Sequence, residues 1–269
     1  MILFPNAKIN IGLQIIEKRP DGFHNIASCF YPVGWADVLE VIPAERFSFS
    51  ISGLPIPGDT ATNLCVKAYE LLQKDFDIPP VAMHLLKIVP IGAGMGGGSS
   101  DAAFALKLLN SRFLLGLSTQ NLENYARQLG SDCAFFIGNK PQYCYEKGDR
   151  FEDIALSLRG KSIVLVYPNL HISTAEAYAG VKPTPPQENL SKILQQPISA
   201  WKYLIKNDFE EGLFQKYPVL PKIKNQLYEM GAVYASMTGS GSTIFGIFEN
   251  LPSIKNNFEP YTVWIGELS

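Results

Sequence analysis

The residues best suited to chemistry gather between Pro90 and Ala103, where five of the 22 glycines fall within seven positions. An apolar, strand-like run precedes this stretch over residues 81–89, and a helical pattern of apolar residues follows it. Between a strand and a helix start, backbone N–H groups converge on an anion, and glycine lets a phosphate approach them closely. The stretch therefore predicts a phosphate-binding loop. The loop comprises Pro90, Gly92, Ala93, Gly94, Met95, Gly96, Gly97, Gly98, Ser99 and Ser100.

Three other interpretations of this loop are weaker. Gly92, Gly94 and Gly97 have the spacing of a dinucleotide-binding fingerprint, but no acidic residue closes a second strand about 20 residues later. The Walker A pattern requires lysine where this chain has Ser99. A flexible surface loop rarely joins a buried strand to a buried helix. Ser99 or Ser100 is expected to cap the helix, and either hydroxyl could also reach a phosphate oxygen or a metal ion.

Polar residues outside the loop permit both a functional and a structural interpretation. Residues 6–16 alternate as a strand whose polar face carries Lys8 and Asn10, an open surface for a ligand or simply a solvated face. Phe23 and His24 follow a Pro-Asp-Gly turn, where a lone histidine is usually a solvated residue. Asp132 precedes an apolar run, and a helix N-cap is its simpler interpretation.

Composition excludes several classes of protein. With 269 residues, of which 46% are hydrophobic, the chain can bury a sizeable core. A net charge of −2 argues against nucleic-acid binding through a broad basic surface. The four cysteines form no C-x-x-C pair, so a structural zinc site is not expected. Since we find neither a signal-peptide pattern nor an apolar run of membrane-spanning length, we expect a cytoplasmic protein, monomeric or weakly dimeric, without a membrane partner.

The glycine loop resembles the phosphate-binding motif of the superfamily that includes galactokinase, homoserine kinase, mevalonate kinase and phosphomevalonate kinase. It is most similar to the family of diphosphocytidyl-methylerythritol kinases, whose loop reads P-x-G-A-G-L-G-G-G-S-S-D-A-A, with Met95 as the departure. Four further motifs of that family follow in the same order along nearly the whole chain. They are P-x-x-K-I-N-x-x-L from Pro5, R-x-D-G-[YF]-H from Arg19, G-x-D-x-[PA]-F-F from Gly130 and [ST]-G-S-G from Thr238.

The resemblance implies an α+β fold of two domains, which we place at residues 1–155 and 156–269. The first, an ATP-binding kinase domain, would resemble the second domain of ribosomal protein S5. The second, a substrate-binding domain, would be ferredoxin-like. ATP and its acceptor are expected to meet in the cleft between them.

The resemblance also implies a reaction of the non-mevalonate isoprenoid pathway. The γ-phosphoryl of ATP would pass to the 2-hydroxyl of a cytidine diphosphate derivative of methylerythritol. Lys8 and Asp132 would be catalytic, and Mg²⁺ would bridge phosphate oxygens with help from Ser100. Phe23 and Tyr178 would stack on the cytosine while His24 bonds its edge, although Tyr178 also suits a half-buried helix position. The full set expected to bind the acceptor is Asn10, Phe23, His24, Tyr178, Gly239 and Ser240.

Two other functions are compatible with the same motifs. The chain could be another kinase of the superfamily that acts on a small alcohol, which the pair Phe23 and His24 argues against. It could also be a non-catalytic nucleotide-binding protein on the same fold, which the presence of both Lys8 and Asp132 argues against. Phosphorylation of homoserine or mevalonate would indicate the first, and ATP binding without turnover would indicate the second.

Overall fold

The computed structural model describes residues 1–186, 188–254 and 257–269. A short 3₁₀ helix, Thr60–Thr62, precedes the first α-helix. The strands of the described chain are β1 (Ile2–Leu3), β2 (Asn6–Lys18), β3 (His24–Ala36), β4 (Val38–Pro43), β5 (Ser48–Gly53), β6 (Val81–Lys87), β7 (Gln142–Tyr145), β8 (Arg150–Asp153), β9 (Ser162–Tyr167), β10 (Tyr234–Met237), β11 (Ile244–Phe248) and β12 (Thr262–Glu267). Its α-helices are α1 (Leu64–Gln73), α2 (Gly97–Phe113), α3 (Thr119–Leu129), α4 (Phe135–Gly138), α5 (Thr174–Ala179), α6 (Leu190–Ile193), α7 (Ile198–Leu204), α8 (Phe209–Lys216) and α9 (Val219–Glu229).

The chain forms two compact units that alternate along the sequence. The first unit comprises Met1–Ala7, Trp35–Ile91 and Gly96–Lys140. The second comprises Lys8–Gly34, Gly92–Met95 and Pro141–Ser269. Since each unit is assembled from three separate stretches, the domain boundary near residue 155 stays a prediction.

In the first unit, a four-stranded sheet in the order β1-β4-β6-β5 is covered by helices. β5 runs parallel to β6, whereas β4 pairs antiparallel with both β1 and β6. α2 packs against β1, β4, α1, α3 and α4. This central position explains why α2 is apolar nearly all round, with Leu106, Leu108 and Leu109 fully buried.

Burial alternates along β6, and the alternation places a lysine in the core of the first unit. Val81, Met83 and Leu85 lie on the buried face, and Lys87 is the next residue on the same face. A buried ammonium group is costly unless carboxylates pair with it. The strand therefore requires acidic partners for Lys87 from other parts of the unit.

The second unit contains the antiparallel sheet β10-β11-β9-β12. Numbered along the chain, these strands have the order 2-3-1-4, which is the strand order of a ferredoxin-like sheet and agrees with the prediction. The buried run Ser162–Tyr167 forms an inner strand, as its continuous apolar sequence predicts. α9 packs against β10 and β11, whereas in the described residues 249–254 and 257–261 no helix joins β11 to β12.

Most of the sheet β2-β3-β7-β8 also belongs to the second unit, and it corrects one prediction. The polar face of β2 is not open, because Lys8 is 3% exposed and Asn10 is 1% exposed. Side chains of the same unit cover that face. A Cβ on Gly12 would lie 2.7 Å from a methyl carbon of Ile205, and the Asn10 N–H donates to the Thr238 hydroxyl.

Several helix boundaries follow from local capping. Asn63 caps α1 by accepting from the Cys65 N–H, and Ser173 caps α5 by accepting from the Glu176 N–H. α3 ends at Gly130, and it begins at a capping box of Ser118 and Asn121. In the described part of the chain, no helix has both the length and the apolar character needed to cross a membrane.

Candidate active site

The glycine loop depends on left-handed backbone conformations. Gly92, Gly94 and Gly96 have φ angles of +63°, +80° and +70°, a region that side chains with a Cβ rarely adopt. The last of these glycines occupies the N-cap position of α2. The prediction that Ser99 or Ser100 caps this helix is therefore wrong, because the left-handed turn at Gly96 starts the helix earlier and places both serines in its first turn.

The N-terminus of α2 is open. Since Gly96 has no side chain, no side chain caps this 17-residue helix in the described structure. A Cβ built on Gly98 would meet no atom within 4 Å, so there is free space beside the first turn. Unsatisfied N–H groups and the helix dipole together favour a phosphate at such a position.

A buried ion cluster lies beneath the start of α2, and sequence reasoning missed it. The Lys87 ammonium donates to Asp37 Oδ2 at 2.5 Å and to Asp101 Oδ2 at 2.7 Å. The three side chains are between 0% and 4% exposed. We call these three residues the Lys87 cluster. The alternation of apolar residues along β6 was a usable signal, since it places Lys87 on the buried face.

The two carboxylates shift the pKa values within the Lys87 cluster. Burial acts to lower the pKa of Lys87, but the charges of Asp101 and Asp37 outweigh it and raise that pKa. Lys87 is therefore an ammonium ion at neutral pH. Burial raises the pKa of Asp101, and the Lys87 charge opposes only part of that increase.

The turn that carries Asp132 packs beside the first turn of α2 within the first unit. A Cβ on Gly130 would lie 3.2 Å from Cys133 Sγ and 4.0 Å from Ser99 Oγ. α4 begins only at Phe135 and has Ala134 at its N-cap, so Asp132 does not cap this helix. Asp132 is half-buried. The turn therefore places Asp132 near the N-terminus of α2, where a phosphate would bind.

In the second unit, Lys8 is fixed by its neighbours. Its ammonium donates to Asn10 Oδ1 at 2.5 Å and lies 4.3 Å from the centre of the Phe30 ring. Asn10 Nδ2 in turn donates to Ser28 Oγ, which donates to the Gly12 carbonyl. Asn10, predicted to contact the acceptor, is therefore a partner of Lys8 in this structure, and its contact with an acceptor stays a prediction.

Residues 238–242 pack directly on the glycine loop within the second unit. Thr238 Oγ1 accepts from the Asn10 N–H and donates to the Gly94 carbonyl at 3.1 Å. A Cβ on Gly94 would lie only 2.1 Å from the Thr238 carbonyl oxygen. Asn207 Nδ2 donates to the Gly239 carbonyl, and Ser240 is half-buried beside it. This segment therefore fixes the glycine loop by backbone contacts, whereas acceptor binding by Gly239 and Ser240 stays a prediction.

A histidine that the sequence analysis did not select also borders the loop. A Cβ on Gly92 would lie 2.5 Å from His171 Nδ1, so the imidazole covers this glycine. The loop therefore requires glycine at position 92 both for its left-handed φ and for this close contact. No local sequence pattern connects two residues that are so far apart in the chain.

A pocket of about 310 Å³ in the second unit brings together the three residues predicted to hold a base. Phe23 and His24 come from the turn before β3, and Tyr178 comes from α5. Lys147, which the sequence analysis missed, also lines the pocket, with its ammonium 5.2 Å from the centre of the Phe23 ring. The complete lining is Gly22, Phe23, His24, Lys147, Thr174, Ala175 and Tyr178.

The rings of this pocket differ in exposure. His24 stacks on Tyr178, with ring centres 4.5 Å apart and planes inclined by 23°. The edge of Phe209 contacts Tyr178 at 4.9 Å, whereas Phe23 is 56% exposed. Phe23 thus offers a free aromatic face, and His24 covers one face of Tyr178. A base held between Phe23 and Tyr178 stays a prediction.

The imidazole of His24 is suited to neutral hydrogen bonding. Its burial, and secondly the charge of Lys18, lower its pKa below the usual 6.5. At neutral pH the ring is therefore uncharged, with one N–H donor and one nitrogen acceptor. Such a pair of groups can bond to the polar edge of a nucleobase.

Comparison of the sequence with known proteins identifies the family to which this chain belongs. The family model described as GHMP kinases N terminal domain matches residues 63–139, and the model described as GHMP kinases C terminal matches residues 189–258. A relative from Cytophaga hutchinsonii named 4-diphosphocytidyl-2-C-methyl-D-erythritol kinase is 53% identical over 94% of each chain. The chain belongs to the 4-diphosphocytidyl-2-C-methyl-D-erythritol kinase family. A further member, from Parabacteroides distasonis, is 45% identical over the full length of both chains.

Solved structures agree with this family assignment. A crystal structure of 4-(cytidine 5'-diphospho)-2C-methyl-D-erythritol kinase superposes with a TM-score of 0.79 at 29% identity, over 92% of this chain and 90% of that one. The mevalonate kinase of Methanococcus jannaschii superposes with a TM-score of 0.71 at 13% identity, over 100% and 98% of the two chains. At this identity the second likeness shows only that the two chains share a fold. The predicted α+β kinase fold is thus confirmed.

We predict that Gly94→Ala destabilises the protein more than Gly116→Ala. Both glycines have positive φ, at +80° and +69°, which costs about 1–2 kcal/mol for alanine. Only at Gly94 would the new Cβ also collide with the Thr238 carbonyl, since nothing lies within 4 Å at Gly116. Urea unfolding measures both losses, and equal losses would contradict the close packing of residues 238–242 on the loop.

Proposed function

We propose that this protein transfers the γ-phosphoryl group of ATP to the 2-hydroxyl of 4-diphosphocytidyl-2-C-methyl-D-erythritol. The observation that carries the proposal is the pocket of Phe23, His24 and Tyr178, in a chain of the family so named. An aromatic face beside a neutral imidazole suits a nucleobase, whereas a small alcohol such as homoserine needs neither. Because ATP and a nucleoside diphosphate derivative are both metabolites of the cell interior, we place the enzyme in the cytoplasm.

The glycine loop and α2 bind the ATP phosphates in this proposal. The open N-terminus of α2 directs N–H groups at the phosphates, and the free space at Gly98 lets them approach. In phosphoryl transfer, catalysis consists mainly of positioning and of stabilising charge on the transferred group. The left-handed glycines, and the hydrogen bond from Thr238 to the Gly94 carbonyl, serve the first requirement by defining the shape of the loop.

We assign the acceptor chemistry to Asp132 and the charge stabilisation to Lys8. Asp132 accepts the hydrogen bond of the 2-hydroxyl and takes its proton as the new O–P bond forms. The bond between the γ-phosphorus and the bridging oxygen breaks at the same time, and ADP leaves with that electron pair. The Lys8 ammonium, held by Asn10 and Phe30, stabilises the negative charge of the transferred group.

A magnesium ion fits the donor groups at the start of α2. Mg²⁺ prefers oxygen ligands and is usually held by few protein groups together with substrate phosphates. Ser100 Oγ is a buried oxygen without a hydrogen-bond partner in the described residues, so Ser100 is our candidate protein ligand. The ion would neutralise charge on the phosphate oxygens. The described residues contain no cluster of three or more acidic, histidine or cysteine side chains that could hold a metal by themselves.

An ATP-consumption assay with several acceptors tests the proposed function. The panel contains the cytidine substrate, its uridine analogue, homoserine and mevalonate. We expect rapid ADP formation with the cytidine compound alone. Turnover of homoserine or mevalonate instead would identify another GHMP kinase activity, and ATP binding without any turnover would indicate a non-catalytic protein.

For Asp132→Asn, we predict a fall in kcat of about 10²- to 10⁴-fold with nearly unchanged ATP affinity. The carboxylate acts on the acceptor hydroxyl, so its loss leaves the contacts to ATP in place. The matched control is Asp75→Asn in the same unit, since this exposed carboxylate accepts only from the Tyr125 hydroxyl among the hydrogen bonds of the described structure. Steady-state kinetics with ATP titration measures both variants, and wild-type kcat in Asp132→Asn would remove its catalytic role.

For Phe23→Ala, we predict an acceptor KM about tenfold higher or more, because stacking on an aromatic side chain contributes about 1–3 kcal/mol per base. The KM for ATP should hardly change. Phe4→Ala is the matched control, since Phe4 is similarly exposed at 62% and lies outside the pocket. An unchanged acceptor KM in Phe23→Ala would show that the base binds elsewhere.

The pKa of His24 predicts a pH dependence of acceptor binding. Because this pKa lies below 6.5, the ring stays neutral from pH 7 down to 6.5 and becomes charged only at lower pH. We therefore expect the acceptor KM to stay constant between pH 7 and pH 6.5. Below pH 6.5 the KM should rise, because the ring loses its acceptor nitrogen when it becomes protonated. The rise should vanish in His24→Gln. A rise that persists in this variant would assign the titration to another group.

A further inference from the structure

Both ends of the glycine loop contact the same buried ion cluster. Residues 87–89 lead into the loop from β6, and Gly97 begins α2 directly after it. The Lys87 cluster takes its members from both of these segments and from the connection between β3 and β4, which supplies Asp37. All of these residues lie in the first unit.

Asp37 fixes the segment that enters the loop. Its Oδ1 accepts from the backbone N–H groups of Ile88 at 2.6 Å and Val89 at 2.8 Å, and its Oδ2 accepts from Lys87. These bonds are charge-assisted, so they are shorter and stronger than neutral ones. The backbone immediately before Pro90 therefore has a defined position.

Asp101 and Lys87 fix the segment that leaves the loop. Asp101 lies in the second turn of α2 and accepts from the Lys87 ammonium through Oδ2. The same ammonium would lie 3.0 Å from a Cβ on Gly97, so it packs against the first residue of the helix. Lys87 thus joins the start of α2 to the end of β6.

The composition of the Lys87 cluster indicates that Asp101 does not serve stability. Asp37 alone neutralises Lys87, and both of its oxygens have partners. Asp101 adds a second buried carboxylate, and its Oδ1 has no hydrogen-bond partner in the described residues. A buried charge with an unsatisfied oxygen lowers stability unless another role retains it.

We propose that Asp101 is a positioning residue for ATP: through Lys87 it holds the start of α2 at a fixed distance from the strand that enters the glycine loop. The inference rests on the proposed function, because it assumes that this loop binds ATP. Asp101 itself acts through Lys87 and through the backbone of α2. Its loss should therefore weaken ATP binding and leave acceptor binding unchanged.

The test compares Asp101→Ala with the conservative Asp101→Asn. The alanine variant leaves Lys87 paired with Asp37, so the remaining charges are balanced. We expect its ATP dissociation constant, measured by calorimetric titration, to rise about tenfold, the loss typical of one charge-assisted hydrogen bond. The acceptor KM and the melting temperature should stay near wild type. Asp101→Asn, whose amide oxygen still accepts from Lys87, should recover most of the ATP affinity.

Lys107→Met is the control on the same helix. The Lys107 ammonium lies 4.6 Å from the Phe104 ring and donates weakly to the carbonyls of α4, away from both loop ends. This change should shift the melting temperature and leave the ATP dissociation constant unchanged. If it weakens ATP binding as much as Asp101→Ala does, any disturbance of α2 has that effect and the proposal fails.

Two further outcomes would overturn the proposal. Unchanged ATP affinity in a folded Asp101→Ala would show that Asp101 does not position the loop, and equal losses for ATP and acceptor would show a general structural effect. Should alanine leave the protein unfolded, Asp101→Leu, which fills the same space without an acceptor oxygen, repeats the measurement. Failure of the wild-type protein to bind ATP would instead reject the proposed function, so the two failures are distinguishable.

Discussion

The start of α2 must accept negative charge, and much of the structure follows from that constraint. An N-terminus that binds phosphate cannot be capped by its own side chain or covered by neighbouring ones. Gly96 meets the first condition at the N-cap, and the free space at Gly98 meets the second. The left-handed turns at Gly92 and Gly94 then bring the chain to this helix in a conformation that residues with a Cβ rarely adopt.

Among the described residues, two lysines are buried, and their surroundings differ. Lys87 lies between two carboxylates, so its charge is already compensated within the first unit. Lys8, in the second unit, contacts the amide oxygen of Asn10 and the face of the Phe30 ring, and these contacts orient its ammonium. Because its charge is compensated, Lys87 is suited to position backbone, whereas the role of Lys8 in stabilising a phosphoryl group stays a proposal.

The sequence predicted those features that depend on neighbouring residues. The glycine loop between a strand and a helix is such a local pattern, and the structure contains it. Contacts between distant segments could not be predicted. Three such contacts are the burial of the polar face of β2, the pairing within the Lys87 cluster and the imidazole of His171 on Gly92. Each joins residues far apart in the chain, so the spacing of residues in the sequence carried no direct signal for the contact. The prediction of a cap at Ser99 or Ser100 was wrong because the left-handed turn at Gly96 starts the helix earlier.

The Lys87 cluster could assist ATP binding either by electrostatic attraction or by positioning the backbone of the loop. The sign of its net charge decides between the two. With both carboxylates ionised, the cluster carries one net negative charge, and with Asp101 protonated it is neutral. Neither state attracts a polyphosphate, and the first repels it at short range in a medium of low dielectric constant. Direct electrostatic assistance to ATP is therefore excluded for this cluster. What remains is geometry: the hydrogen bonds of Asp37 to residues 88 and 89, together with those of Lys87, fix both ends of the loop.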